Sequence, residues 1–488
     1  MIRLQITDNH HDWKCIQECF VDDASLGSEE LNTAKKDLER IANIKIGELS
    51  LEDNTNLLVF PRDLHRYGDE ISENCIISMR NDEISTGNIM GFVGVNDTQL
   101  DIKSRFAKVD EDDYFLHYML QKVFSINLFD IKHTTRQEDI FDFLLYLFPH
   151  FLKKALAQGL FKKYRRFEYN DANIRGPIDV NRYIRENIPF RGTVAYSTRE
   201  HSYDNEVTQL VRHTIEYIRT KEHGAIILNN DPETKGCITQ ISLATQSYNV
   251  RERMKVINQN LRPIRHPYYS AYTDLQNLCL RILRHESLKY GQEKDKVYGI
   301  LFDGAWLWEE YLNTIFVKYQ LGITHAENKM GKNGINLYEN GRKCYYPDFY
   351  KQIPEDEKGE KSFVLDAKYK RLGKSVAVDE QESCDLKNTI SIGRDDLFQM
   401  ITYMHVLPAT HCALVYPLER KEPSRNTVFK AVPRKLMGFG GNITGFGIPI
   451  PEILSIHNYS DFCESMKSVE LSLKGEVEKI TFNENNPN

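Results

Sequence analysis

Apolar residues recur along this chain in two rhythms. Up to about residue 110 they come in short runs, Asn56–Phe60, Cys75–Met79, Gly91–Val95 and Gln99–Lys103, cut by Asn, Asp and Gly. Such runs between turn residues predict strands, so a β-rich N-terminal domain is expected over 1–110. From 111 to 293 the apolar positions fall three and four apart, and a mainly helical middle region is expected. Tyr114–Phe124 and Val207–Lys221 show this spacing. Asp204 is placed as the N-cap of the second, with Glu206 in its first turn. Ile140–Leu156 is interrupted by Asp142, Pro149 and His150 and is too short to cross a bilayer, so it reads as one or two buried helices.

Beyond residue 294 the two rhythms alternate. A helix over Ala305–Tyr319 precedes short strands near Gly334–Tyr338, Cys344–Tyr350 and Phe363–Lys368; a helix over Arg394–Leu407 and a strand over Cys412–Pro417 follow. A helix crossing between strands predicts a mixed sheet covered by helices, an α/β domain over 294–470. Gly438–Gly447 reads as a loop or strand-edge turn, and 471–488 as a polar tail. The fold class expected is therefore α+β and multidomain.

Composition changes this picture little. The 488 residues suit roughly two to four domains, and 41% hydrophobic with 27% charged residues is a globular balance. A net charge of −7 draws the whole chain to neither DNA nor an acidic membrane. Binding of nucleic acid has to be local or come through a partner. Phe161–Tyr169, "FKKYRRFEY", interleaves basic and aromatic residues and is a candidate DNA-backbone contact, with a solvated helix face as the alternative. Nine cysteines without a regular spacing suit free thiols in a reducing compartment. His10, His11, Cys15 and Cys19 match no zinc spacing. The N-terminus is too polar for a secretory signal. The expectation is a soluble, cytoplasmic protein with no membrane partner.

The chemistry concentrates around "YYPDFYKQIPEDEKGEKSFVLDAKYKRL", Tyr345–Leu372. Asp348 and Asp366 belong to two strand-like segments joined by a polar, glycine-containing connection. Pairing of those segments brings the carboxylates together at one sheet edge. Two carboxylates so placed repel, and a hard cation such as Mg²⁺ relieves this while needing only one or two protein carboxylates. Such an ion polarises a phosphoryl oxygen and lowers the pKa of a bound water. Lys368 shares a face with Asp366 by period-two alternation, placed to orient water or offset charge on a phosphate. Ala367 points the other way, small enough for close packing.

Two helices add candidates. At about 100° per residue, Ala305, Trp308, Leu312 and Ile315 form an apolar stripe with Glu309 at its edge and Glu310 on the solvent side. Glu309 is the third carboxylate. Gln399 and Tyr403, four apart, stack on one face of the later helix.

Pro347-Asp348, seventeen intervening positions and Asp366-Ala367-Lys368 resemble the PD-(D/E)xK nuclease superfamily. The element order also looks like that fold, and Gln399…Tyr403 is similar to the QxxxY motif of its RecB-like branch. The resemblance implies a restriction-endonuclease-like C-terminal domain with catalytic Asp348, Asp366, Lys368, Glu309, Gln399 and Tyr403. It also implies a Mg²⁺ site, with Mn²⁺ as substitute, at Asp348, Asp366, Glu309 and Ala367. Outside this block, Ile174–Phe190, Ser197–Ile215, Ser242–Leu283 and Gly299–Leu312 resemble McrC-family proteins. Ser85–Phe106 does too, with "DIKSR" where the family has an I-x-P-K-like stretch. That family implies a nuclease subunit acting on double-stranded DNA beside a McrB-like AAA+ GTPase hexamer. The partner would recognise and translocate DNA, and the N-terminal β-rich part would dock on it and stimulate it. The chain itself carries no Walker A motif: in Arg371–Val376, "RLGKSV", the first glycine would fall on Lys368.

Three readings follow: a nuclease subunit driven by a GTP-dependent motor, a stand-alone RecB-like exonuclease or nickase, and a scaffold that mainly activates the motor. Only the second cuts DNA without partner or nucleotide. The intact Asp348, Asp366 and Lys368 set argues against the third.

Overall fold

The computed structural model describes residues 2–9, 12–21, 28–51, 57–60, 73–96, 98–107, 113–124, 138–221, 224–229, 231–288, 297–326, 333–341, 344–353, 362–370, 392–419, 427–438, 441–451 and 458–482. It is an α+β protein with several sheets. Its contacts divide it into two compact units, one formed by Met1–Ser125 with Lys294–Asn488, the other by Ile126–Glu293.

In the first unit a five-stranded sheet runs in the order Ile2–Thr7, Thr98–Lys103, Ile89–Val95, Val297–Asp303, Leu57–Phe60. Alternate residues, Leu4 and Ile6, Leu100 and Ile102, Val93 and Val95, face one apolar core. The Val297–Asp303 strand runs antiparallel to Ile89–Val95 and parallel to Leu57–Phe60, although the chain returns to this sheet only after the whole second unit. Close approach is bought with glycine. Gly91 has φ +126°, and a Cβ there would stand 2.1 Å from the Ile300 carbonyl oxygen.

The same unit holds a mixed sheet in the order Thr324–His325, Phe349–Lys351, Phe363–Ala367, His411–Glu419, Asn442–Ile450, Phe429–Lys430. Phe363–Ala367 is antiparallel to Phe349–Lys351 and parallel to His411–Glu419, which it reaches through the Arg394–Val406 helix. The expected Cys344–Tyr350 strand is split. Cys344–Tyr345 pairs with Ile335–Asn336 in a separate ribbon, and only Phe349–Lys351 joins the large sheet. Two readings of the C-terminal part are corrected. Gly438–Gly447 reads as a loop or strand-edge turn, but its part from Asn442 onward belongs to a buried strand, Asn442–Ile450, parallel to His411–Glu419. Any side chain at Gly447 would meet Leu418 and Tyr416, so glycine suits the sheet here. The expected polar tail 471–488 is helical up to residue 482, continuing the Tyr459–Phe482 helix. Glu470, 1% exposed, lies on that helix. It accepts from Tyr118 (2.6 Å) and Tyr311 (3.3 Å) and pairs with Lys122 (3.1 Å) and Lys318 (3.2 Å), tying three helices together.

The second unit is built on Glu138–Leu156, Glu206–Arg219 and Ala271–Leu288. The first is one helix that continues through Pro149. Asn205, not Asp204, caps the second; its side chain accepts from the backbone of Val207 and Thr208, and Thr208 closes a capping box. Asp204 instead takes Gln209 and Ser247. The basic Phe161–Tyr169 run is extended: Lys163–Asp171 pairs antiparallel with Val194–Ser202, mostly exposed. Among the described residues no helix is long and apolar enough to cross a membrane, and none of the described cysteines forms a disulfide.

Candidate active site

The Phe363–Ala367 strand sorts its side chains by alternation. Val364 packs into the core beneath the Arg394–Val406 helix, with Met400 and Tyr403. Asp366, two residues on, shares that face and is 1% exposed. The Lys368 N–H donates to the Val415 carbonyl at 2.9 Å, keeping the chain beside the neighbouring strand after regular pairing ends. Its ammonium lies 2.8 Å from Asp366 Oδ2 and 3.4 Å from Asp396 Oδ1, and donates to Gln399 Oε1 at 3.2 Å. Gln399 Nε2 donates to the Tyr403 hydroxyl (2.9 Å), which donates to the Tyr346 carbonyl (3.3 Å). One hydrogen-bonded chain thus runs from Lys368 to the segment just before Asp348.

Asp348 immediately precedes the paired stretch Phe349–Lys351. Its Oδ2 accepts the Ala367 N–H at 2.7 Å and its carbonyl accepts the Ala326 N–H at 3.1 Å. Glu309 projects from the Gly304–Lys318 helix, and its Oε1 lies 2.8 Å from His325 Nε2. The helix forms as read, with Trp308, Leu312 and Ile315 buried and Asp303 capping its first turn.

The electrostatics follow from burial and like charge. Burial, then the charges of Asp366 and Glu309, pushes the Asp348 carboxyl well above the usual range. Burial also raises Asp366, against the pull of the Lys368 ammonium. For Lys368, burial alone would lower the pKa, but Asp366 and Asp348 outweigh it and hold the ammonium charged. The result is one locked cation among carboxylates that resist ionising together.

Asp366, Lys368, Gln399 and Tyr403 are therefore in direct contact, and Asp348 joins through the Ala367 N–H. Glu309 acts on Asp348 by its charge. Among the described residues no three His, Cys, Asp or Glu side chains already form a group able to hold a metal ion. The donor set is nevertheless all oxygen, which suits a hard cation. Oδ2 of the buried Asp366 faces the Lys368 ammonium, whereas its Oδ1 accepts no hydrogen bond from the described groups. That is a buried acceptor a cation would satisfy.

Two neighbours, Asp396 and His325, have no place in the sequence pattern. Asp396 holds Lys368 and also Lys370 (3.1 and 3.2 Å); its signal was a place one helical turn before Gln399. His325 lies on a two-residue edge strand and carried no local signal. The connection at 354–361, Arg371–Val376, and His10 with His11 lie outside the described residues.

The sequence pattern of the McrBC 5-methylcytosine restriction system component family matches residues 84–417. No curated protein matches the chain. Among solved structures, it is similar to a chain of the tetradecameric assembly of Thermococcus gammatolerans McrB AAA+ hexamers with bound McrC. The identity is 15% and the TM-score 0.43, over 97% of this chain and 100% of that one. It is also similar to a chain of the cryo-EM structure of the T. gammatolerans McrBC complex, at 15% identity and a TM-score of 0.29, over 65% of this chain and 88% of that one.

Proposed function

The chain belongs to the McrBC 5-methylcytosine restriction system component family, and from that premise we propose that it is the subunit that hydrolyses DNA phosphodiester bonds. The single observation that carries this reading is the Lys368 ammonium held at 2.8 Å from the buried Asp366, with Asp348 anchored on the N–H of Ala367 between them.

Asp348, Asp366, Glu309 and Ala367 would hold Mg²⁺, for which Mn²⁺ substitutes. When bound, the ion polarises the phosphoryl oxygen and makes water a nucleophile near neutral pH. The protein's own groups do the rest. Lys368 offsets the negative charge that builds on the phosphate, in a site shielded from water where that interaction is strong. Gln399, Tyr403 and Asp396 keep its flexible four-carbon stem in one geometry.

The partners proposed are double-stranded DNA and a McrB-like AAA+ GTPase hexamer. That hexamer supplies recognition and translocation, and the chain stimulates it by docking its N-terminal β-rich part. The setting proposed is cytoplasmic anti-phage restriction, with a restriction-endonuclease-like domain over 294–470.

The test is plasmid cleavage in Mg²⁺ by wild type and Asp366→Ala, each with and without the partner NTPase and GTP. Cutting by wild type with partner and nucleotide, abolished in Asp366→Ala, is expected. Full activity of Asp366→Ala would overturn the site. Cutting by wild type alone would mean a free-standing nuclease instead.

A further inference from the structure

We propose that His325 is a positioning residue that aims Glu309 at the Asp348–Asp366 pair. The inference rests on the nuclease reading of this site and adds a residue to it.

Two independent contacts fix the imidazole. Its ring lies flat on Phe349, centroids 5.0 Å apart and planes 25° apart. Phe349 is fully buried and takes Phe316 edge-on at 4.9 Å. Phe316 is on the same helix as Glu309, two turns further along, so the packing that sets the ring plane belongs to the element that carries the carboxylate. The second contact is Nε2 at 2.8 Å from Glu309 Oε1. An ionised carboxylate only accepts, so Nε2 carries the proton and donates.

The backbone of the same strand reaches the other carboxylate. His325 pairs with Phe349 in the sheet, the next residue's N–H, that of Ala326, donates to the Asp348 carbonyl, and the Asn333 amide holds the His325 carbonyl at 2.9 Å. One short edge strand thus braces both sides of the site: its imidazole orients Glu309, and its main chain orients Asp348. The Glu309 side chain is 26% exposed at the edge of the apolar stripe, where an unbraced carboxylate would sample several rotamers. A donor that selects one of them lowers the ordering a cation must impose, which is how outer groups tune metal sites by about 10- to 100-fold in affinity.

The experiment is calorimetric titration of the full-length protein with Mn²⁺ and no DNA. His325→Phe keeps a ring on Phe349 but removes the donor, and a loss of about tenfold or more in Mn²⁺ affinity is expected. His325→Gln keeps a donor and is expected within about twofold of wild type, a separation that general damage to the strand would not give. Thermal melting in EDTA checks the fold. Should His325→Phe melt early, His325→Leu, which also lacks the donor, replaces it with the same expected loss, and wild-type affinity in that variant would overturn the role. Asp366→Ala separates the two readings. If it loses Mn²⁺ while His325→Phe binds as wild type, the positioning role fails and the site stands. If Asp366→Ala binds Mn²⁺ as wild type does, the nuclease reading fails and takes this inference with it. Equal loss in His325→Phe and His325→Gln would make the imidazole itself a ligand and overturn the positioning role.

Discussion

The Arg105 guanidinium lies over the ring of Tyr369, 4.3 Å from its centroid, three residues beyond Asp366. Arg105 follows the Thr98–Lys103 strand of the first sheet, whereas Tyr369 follows the strand that carries Asp366. The same guanidinium stands 3.7 Å from Asp8 and 3.7 Å from Glu419, at the end of the adjoining strand of the second sheet. A buried cation therefore joins the two sheets of this unit through a residue three positions beyond Asp366. The Arg105 and Asp8 side chains are 1% and 0% exposed, so their pairing is not screened as a surface pair would be.

Removing that cation should be costly. Arg105→Ala leaves Asp8 buried without its counter-charge, and a loss of about 3–5 kcal/mol is expected in denaturant unfolding above pH 7, where the carboxyl is ionised. Arg105→Lys should recover little of it, because an ammonium lacks the flat face that stacks on Tyr369. A variant within about 1 kcal/mol of wild type would show that the pair contributes nothing net.

Asp8 gives the stability a pH dependence. Burial, opposed by Arg105, raises its carboxyl from the ordinary 3.8 to about 7. A carboxyl raised on folding binds its proton more tightly in the native state. Its contribution is full below its unfolded pKa and is lost as pH rises from about 4 through about 7. Asp8→Asn should flatten this slope, as measured by unfolding free energies on either side of the window. An unchanged slope would place the effect elsewhere.

Glu470 acts in the opposite sense. Burial would raise its pKa, but the Tyr118 hydroxyl and the Lys122 and Lys318 ammonium groups hold it below the usual value. Its contribution is present above the unfolded pKa near 4.5 and is lost as pH falls below it. Glu470→Leu leaves the Tyr118 and Tyr311 hydroxyls and two ammonium groups without their acceptor. A loss of about 2–4 kcal/mol near neutral pH is expected, shrinking in acid. A loss that is the same at both pH values would mean that packing, not charge, is the larger effect.

The hydrogen-bonded chain from Lys368 predicts a graded effect on cleavage. Gln399→Ala frees one side of the Lys368 ammonium, and Asp396→Asn removes a negative charge from the other. Each is expected to lower single-turnover cleavage by about 10- to 100-fold without changing the melting temperature by more than a few degrees. Tyr403→Phe, which touches Lys368 only through Gln399, should cost less than either. The reverse order would place Tyr403, not Gln399, in contact with the reacting groups.

Much of this architecture was legible in local pattern. Tyr114–Phe124 and Gly304–Lys318 are helices where apolar spacing put them, since a stripe three and four apart buries one helix face whatever lies opposite. Asp366 and Lys368, two residues apart, come within 2.8 Å of each other although the strand itself ends at Ala367. The four-residue spacing of Gln399 and Tyr403 became a hydrogen bond. The lack of a phosphate-cradling motif was equally a property of the chain alone.

What the chain could not announce is pairing at a distance. Val297–Asp303 belongs to a sheet whose other strands all lie before residue 104, and no local rhythm encodes its partners. Asn442–Ile450 carries glycines that read as a loop, because their use, letting Tyr416 and Leu418 pack against the strand, exists only once the neighbouring strand is in place. Asp396 and His325 joined the candidate site for the same reason. Helix and strand faces are set by bonds and side chains within a few residues, so sequence determines them; which buried charges meet is decided by the packing that removes them from water together.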